Sequence, residues 1–141
     1  MKIKMLLIMV ILAFLTACNF PDSFMRSRNM PVTPSNAPMI FGGQNRDIYL
    51  GNISTNPADA DSIYNQQGKY GNSKSAALSI SNKKSEYGAA TSELSACNPH
   101  AINPPILVDK YNMVLGDFTL NPERNSTLTP AIISALQKLC R

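Results

Sequence analysis

Short apolar runs separated by turn formers are the clearest pattern in this chain. Two pairs of runs stand out, residues 40–41 with 48–50 and residues 106–108 with 113–115. Gly-Gly-Gln-Asn begins the segment between the first pair, and Lys-Tyr-Asn lies within the segment between the second. Apolar runs flanking such segments predict two β-hairpins. Phe118-Thr119-Leu120 continues the second pair beyond Gly116, where we expect a β-bulge.

A helical pattern follows near the carboxyl end. Thr129 is a suitable N-cap residue, and Pro130 suits the first helical position. The apolar residues then recur with helical spacing, which places them on one face: Ile132, Ile133, Leu136, Leu139 and Cys140. The pattern predicts a short amphipathic helix. The predicted fold class is therefore α+β, with a small antiparallel sheet from two hairpins and one C-terminal helix.

A repeat with a spacing of 17 residues occupies residues 62–98, between the predicted hairpins. The motif S-I-x-N-x-x-x-x-Y-G occurs at 62–71 and 79–88, and a degraded third copy begins at residues 94–98. The fixed isoleucines, Ile63 and Ile80, suggest an architectural role with inward-facing side chains. We expect each S-I-x-N to form a loop or one short helical turn, closed by a glycine with an unusual φ. Two and a half copies are too few to stand alone, so they must pack on the rest of the domain.

The same repeat also has a functional interpretation. Its tyrosines could be exposed for stacking on sugar rings or on a protein partner, with the asparagines hydrogen-bonding. The candidate binding surface then consists of Tyr64, Asn65, Tyr70, Asn82 and Tyr87.

The amino terminus has the organisation of an export signal. Lys2 and Lys4 precede ten apolar residues, 5–14, which as a helix would rise only about 15 Å. That is too short to span a bilayer and suits the apolar region of a signal peptide. Leu15-Thr16-Ala17-Cys18 resembles the lipobox of bacterial lipoproteins. The resemblance implies cleavage after residue 17, a diacylglycerol thioether on Cys18 and an N-acyl chain such as palmitate.

The lipobox resemblance also bears on location. In lipoproteins of bacteria with two membranes, an Asp after the lipidated cysteine usually retains the protein in the inner membrane. Asn19 stands there, which favours the outer membrane if the host has one. Residues 18–39 contain four prolines and no apolar period, as is typical of a tether. One domain is expected from residue 40 to 141. A secreted protein without lipid is the alternative.

Charge argues against a nucleic-acid partner. The formal charge of +4 at pH 7 includes Lys2 and Lys4, so a chain cleaved after residue 17 would carry only +2. The remaining lysines and arginines are scattered and form no basic run.

The cysteines fit an exported chain. With Cys18 assigned to lipid, Cys97 and Cys140 remain as an even pair, which predicts a disulfide in an oxidising compartment. Two reduced, buried thiols are the alternative. No metal site is predicted, because these cysteines have only His100 near them in sequence.

Few residues suggest catalysis. Asp109 and Asp117 lie on the two arms of the second predicted hairpin and would supply paired carboxylates if they met. His100 could serve as a base, and with a reduced Cys97 it would form a nucleophile pair. Asp59 and Asp61 have the D-x-D spacing of a calcium loop, but the later glycine and glutamate are missing. We therefore expect a non-enzymatic module without a cofactor, with a small hydrolase using Asp109, Asp117 or His100 as the rival.

Residues 41–121 resemble a family of uncharacterised bacterial secreted and lipoprotein domains. The shared motifs are F-G-G and Y-L-G at 41–43 and 49–51, the two S-I-x-N…Y-G copies, P-P-I-L-V-D at 104–109 and F-T-L-N at 118–121. Ser81 stands where an aromatic is usual, and Ser85 where glycine is common, so the second copy departs more from the pattern. The resemblance implies an exported small domain with no assigned activity. The overall prediction is a membrane-anchored envelope protein that binds an envelope protein or glycan.

Overall fold

A computed structural model describes residues 36–141, so the predicted signal peptide, Cys18 and most of the tether lie outside the described residues. Four strands and one helix form the regular structure of these described residues. The strands are β1 (Met39–Gly42), β2 (Ile48–Asn52), β3 (Ile106–Val108) and β4 (Val114–Asp117), and the helix is α1 (Pro130–Leu139). They form one four-stranded antiparallel sheet in the order β2-β1-β3-β4, with one C-terminal helix. The predicted α+β class is confirmed at this level.

Both predicted hairpins are present, and β1 joins them by pairing with β3. Phe41 pairs with Tyr49 on one side and with Ile106 on the other. The first hairpin turns at Gly43, whose φ of 87° favours glycine. The second hairpin has an irregular register between Leu107 and Val108, opposite the predicted bulge at Gly116. The strand ends at Asp117 rather than continuing through residue 120. The Phe118 N–H still donates to the Pro105 carbonyl at 2.7 Å, but Pro105 has no N–H to return a second bond, so the ladder stops there.

The core lies between the sheet, the turns that follow β2 and the helix. Its largest fully buried side chains come from all three parts, among them Phe41, Leu50, Ile63, Ile80, Leu107, Phe118 and Leu136. Helix α1 begins where the sequence predicts, since the Thr129 hydroxyl accepts the Ile132 N–H and Pro130 opens the helix. Leu136 is fully buried, while the other apolar residues of that face pack on the core and are partly exposed.

Residues 56–101, called the turn segment below, form no helix. Instead, the segment consists of consecutive turns, in each of which a backbone N–H donates to the carbonyl three residues earlier. Asp59, Ser62, Asn65 and Gly68 each donate in this way to the residue three before, and so do Ser79, Asn82, Ser85 and Gly88. In most of these turns an Asn, Asp or Ser side chain also accepts the N–H two residues later, as Asn65 does from Gln67. Side chains of this kind mimic and stabilise a backbone turn.

Three asparagines of the turn segment make the same long contact. The side-chain amide of each donates to the carbonyl six residues earlier, Asn65 to Asp59, Asn82 to Ala76 and Asn98 to Ser92, at 3.0–3.1 Å. Asn125, after the sheet, donates to Thr119 in the same way. These amides therefore clasp two consecutive turns together.

Replacing Asn82 by alanine should lower the free energy of unfolding by about 2 kcal/mol, because two partly buried hydrogen bonds to the backbone would be lost. Asn82 is 6% exposed and holds the Ala76 carbonyl and the Lys84 N–H. Asn72→Ala is the matched control, since the Asn72 side chain accepts two N–H groups at an exposed site. Urea unfolding should show a larger loss of stability for Asn82→Ala than for Asn72→Ala. Equal losses of unfolding free energy would contradict a stabilising role for the Asn82 amide contact.

The Tyr-Gly pairs differ from the expectation. Gly71 and Gly88 do not adopt positive φ, which among glycines is confined to Gly43, Gly51 and Gly116 in the described part of the chain. Glycine is required for a different reason. A Cβ on Gly71 would overlap the Asn65 backbone, and one on Gly88 would overlap the carbonyls of Ile80 and Asn82. The motif thus lets two backbone segments approach closely.

The turn segment also covers one edge of the sheet. Asn52 at the end of β2 forms a parallel bridge with Ser62, in which the Asn52 N–H donates to Asp61 and the Asn52 carbonyl accepts from Ile63. Among the described residues no strand pairs with the outer side of β4, at the opposite edge of the sheet.

Candidate functional site

The two candidate carboxylates are held apart by the register of the second hairpin. Asp117 lies opposite Ile106, whereas Asp109 lies beyond the Val108–Val114 pair, in the turn. Asp109 accepts the N–H groups of Tyr111 and Met113, at 2.9 and 2.8 Å. The two carboxylates therefore do not meet, because they stand at opposite ends of the ladder.

Asp117 has a structural role. It forms ion pairs with Arg46 at 3.1 Å and with Arg124 at 2.8 Å. The guanidinium of Arg124 also donates to the carbonyls of Ala101 and Ile102. The three charged side chains thus join the first hairpin turn, the end of β4 and the end of the turn segment.

The remaining candidate groups are also occupied or isolated. Cys97 and Cys140 form the predicted disulfide, with their Cα atoms 5.4 Å apart, so a Cys97 thiol for His100 to activate is not present. His100 is exposed. Asp59 accepts hydrogen bonds from the Asn52 amide and the Asp61 N–H. Among residues 36–141, no group of three or more His, Cys, Asp or Glu side chains is arranged to hold a metal ion.

The alternative interpretation of the repeat, a row of exposed tyrosines, does not hold for Tyr70 and Tyr87. Tyr70 is 8% exposed and Tyr87 4%. Tyr70 packs edge-on against Tyr49, with ring centroids 5.1 Å apart. The Tyr87 ring lies over Gly42, where an added Cβ would be 3.1 Å from it. Burying these rings in the core gains more than exposing them, so they hold the turn segment on the sheet. The side-chain amides of Asn65 and Asn82 donate to backbone carbonyls of the turn segment.

Tyr64 is the exception among the repeat tyrosines, because it is half-buried beside helix α1. It lines a cavity of about 200 Å³ together with Ile53, Thr55, Phe118, Ala131, Ile132 and Ala135. A second opening of about 520 Å³ is lined by Tyr64, Ala131, Ser134, Ala135, Lys138 and Leu139. The two share Tyr64, Ala131 and Ala135, and together they are called the helix groove below.

The helix groove owes its space to small side chains. Ala131 and Ala135 lie one turn apart on α1 and face Tyr64 across the groove. Its inner part is lined mainly by apolar groups, and Lys138 places an ammonium at the outer part. Burial raises the pKa of the Tyr64 hydroxyl, which stays neutral and able to donate a hydrogen bond at pH 7. Tyr64 was a candidate from its place in the repeat, whereas Ala131 and Ala135 were not candidates. Their spacing of four on the helix is the signal available in the sequence.

A second concavity of about 480 Å³ lies on the turn segment. Its lining is basic and polar, with Ser73, Lys74, Ser81, Asn82, Lys83 and Lys84. The Lys83 ammonium contacts the carbonyl of Arg141. This contact ties the second copy of the repeat to the end of the chain.

Comparison with known proteins adds no relationship, since no family model, curated protein or solved structure matches the chain. Within residues 36–141, no helix is long and apolar enough to cross a bilayer.

Proposed function

We propose that this chain is a lipid-anchored envelope protein whose folded part is a non-catalytic binding module. The anchor is the diacylglycerol and N-acyl group on Cys18, and Asn19 favours the outer membrane in a host that has one. One observation carries the binding role, namely the helix groove, an apolar opening between Tyr64 and α1. Of the candidate catalytic residues, Asp117 forms ion pairs and Asp109 stabilises a turn. Cys97 is in a disulfide, and His100 is exposed.

The partner best suited to the groove is an apolar side chain of another envelope protein. The apolar inner part of the groove, about 200 Å³, has room for one side chain. It is smaller than the roughly 300–1,000 Å³ typical of small-molecule sites, a range that the outer opening of about 520 Å³ reaches. Its lining is mainly apolar, and a sugar would need more polar partners than this lining offers. Lys138 at the outer part favours an acidic group beside that side chain. A glycan is the second outcome that the experiment below separates.

We also propose that residues 62–98 are an architectural repeat. The equivalent amide contacts of Asn65, Asn82 and Asn98 support one unit used three times. In this proposal Ile63, Ile80 and Ala96 are the equivalent core residues, and each is at most 1% exposed.

The proposed lipid anchor predicts the mass of the mature protein. Protein extracted from membranes should begin at Cys18 and carry acyl groups, and two thiols should alkylate only after reduction. Intact mass spectrometry before and after reduction measures both. A lipid-free chain would contradict the anchor, and thiols alkylated without reductant would contradict the exported compartment.

The groove is tested by photo-crosslinking of the full chain in its host cells. A benzoylphenylalanine at Ser134, which lines the groove, should give a discrete crosslinked protein. The same group at exposed Gln137, outside the groove lining, is the matched control. Ala131→Tyr, which fills the groove, should abolish the crosslink. A crosslinked product that persists in the Ala131→Tyr variant would contradict binding through the groove. If the chain binds purified peptidoglycan and Ala131→Tyr blocks that binding, a glycan is the favoured partner.

A further inference from the structure

The tip of the second hairpin exposes an unusual amount of apolar surface. Residues 110–115, called the hairpin tip below, include Tyr111 at 74% exposure, Met113 at 65% and Val114 at 55%. These side chains are adjacent in sequence and lie on or beside β4, the strand without a partner on its outer side among the described residues. Several large apolar side chains exposed within one short segment indicate an interaction surface.

The register places this tip at a particular end of the sheet. Met39, the first residue of β1, pairs with Val108, and Val108 pairs with Val114. The chain that leads from Cys18 therefore enters the sheet at the same end as the hairpin tip. The turn between β1 and β2 lies at the other end, where Gly42 pairs with Ile48.

The composition of the tip suits the boundary between lipid headgroups and acyl chains. Tyr111 has an apolar ring and a polar hydroxyl, and such rings are enriched at that boundary. The Lys110 ammonium lies 5.1 Å from the centre of the Tyr111 ring and can reach lipid phosphates while its stem stays apolar. The Asp109 carboxylate accepts the N–H groups of Tyr111 and Met113, which fixes the turn that presents these side chains.

We propose that the hairpin tip inserts into the surface of the same bilayer that holds the lipid on Cys18. This inference rests on the proposed anchor. The 21 residues from Cys18 to Met39 span at most about 70–75 Å, so the tip is held close to the bilayer at a high effective concentration. A few apolar side chains then suffice for contact, although they would bind a bilayer only weakly by themselves. The inserted tip orients the domain, with the first hairpin turn directed away from the membrane.

The absence of tryptophan from the sequence allows a direct test. Tyr111→Trp and Ile102→Trp each introduce one tryptophan at a site that is 74% or 76% exposed. Ile102 is the matched control because its neighbour Asn103 donates to the Gly43 and Gln44 carbonyls, at the far end of the sheet. The lipidated full chain is reconstituted into phosphatidylethanolamine–phosphatidylglycerol vesicles with brominated acyl chains, which quench tryptophan fluorescence on contact.

We expect the Tyr111→Trp emission to shift to the blue and to fall at least about twofold in brominated vesicles, with Ile102→Trp unchanged. Met113→Glu in the Tyr111→Trp background should reduce the quenching. If the chain floats with the vesicles but its tryptophan fluorescence is not quenched, the insertion of the tip is wrong, while the lipid anchor is supported. If the emission shifts to the blue without quenching and the shift grows with protein concentration, the insertion is also wrong, because another copy of the chain then covers the tip. A chain without acyl mass overturns both proposals.

Discussion

Reduction of the Cys97–Cys140 disulfide is expected to lower the free energy of unfolding by about 4 kcal/mol. The two cysteines are 43 residues apart, and the bond excludes extended conformations of that loop from the unfolded chain. A loss of this size is a large share of the stability of a small domain. Urea unfolding followed by circular dichroism, with and without reductant, measures the change.

The Cys97→Ala/Cys140→Ala variant is the control for the disulfide. It should be destabilised to a similar extent, and its unfolding midpoint should not respond to reductant. Since the bond links the carboxyl end of α1 to the third copy of the repeat, the Lys83 contact with Arg141 should weaken as well. An unfolding midpoint of the wild-type chain that is insensitive to reductant would contradict the prediction.

Gly88→Ala is expected to lower the free energy of unfolding by about 3 kcal/mol. The added Cβ would overlap the carbonyl oxygens of Ile80 and Asn82, which are backbone atoms and cannot move as a flexible side chain would. The Asn82 carbonyl also accepts the Ser85 N–H at 2.9 Å, so moving it would weaken the next turn. The backbone conformation itself is not the cause, because Gly88 does not have a positive φ.

Gly68→Ala is the matched control within the first copy of the repeat. Its added Cβ would lie 3.0 Å from the Ala60 carbonyl oxygen and 3.2 Å from both the carbonyl oxygen and the side-chain Cγ of Asn65. These contacts require shifts of only a few tenths of an ångström, much less than the overlaps at Gly88. The reduced freedom of the unfolded chain offsets part of that cost, so the net change should stay within about 1 kcal/mol. If the two variants unfold at the same urea concentration, close backbone approach is not what the Tyr-Gly motif provides.

The two hairpins and the helix could be predicted because their signals are local. The apolar runs around Gly43 and Asn112 turned where expected, at residues with φ of 87° and 66°. The start of the helix could be placed from Thr129 and Pro130, and its extent from the apolar spacing that follows. Such signals act within a few residues and need no knowledge of the rest of the fold.

The turn segment was only partly predictable. Its 17-residue repeat and its inward-facing isoleucines were evident from the sequence. The finer period of three turn-forming residues was not predicted, although Asn, Asp or Ser recurs at residues 56, 59, 62 and 65. Each such side chain stabilises the turn that it begins. The role of glycine after tyrosine could not be read from the motif, because an overlap depends on atoms brought close by folding.

The two hairpins, the C-terminal helix, the α+β class and the pairing of Cys97 with Cys140 could all be predicted from local patterns and composition. The folded structure was needed to show that β1 joins the two hairpins, that Tyr70 and Tyr87 are buried while Tyr64 borders a groove, and that Asp109 and Asp117 stand apart. Apolar periodicity shows which residues can be buried, but the register between distant segments fixes which of them are buried together. The helix groove and the position of the hairpin tip depend on that register, since each combines residues far apart in the chain.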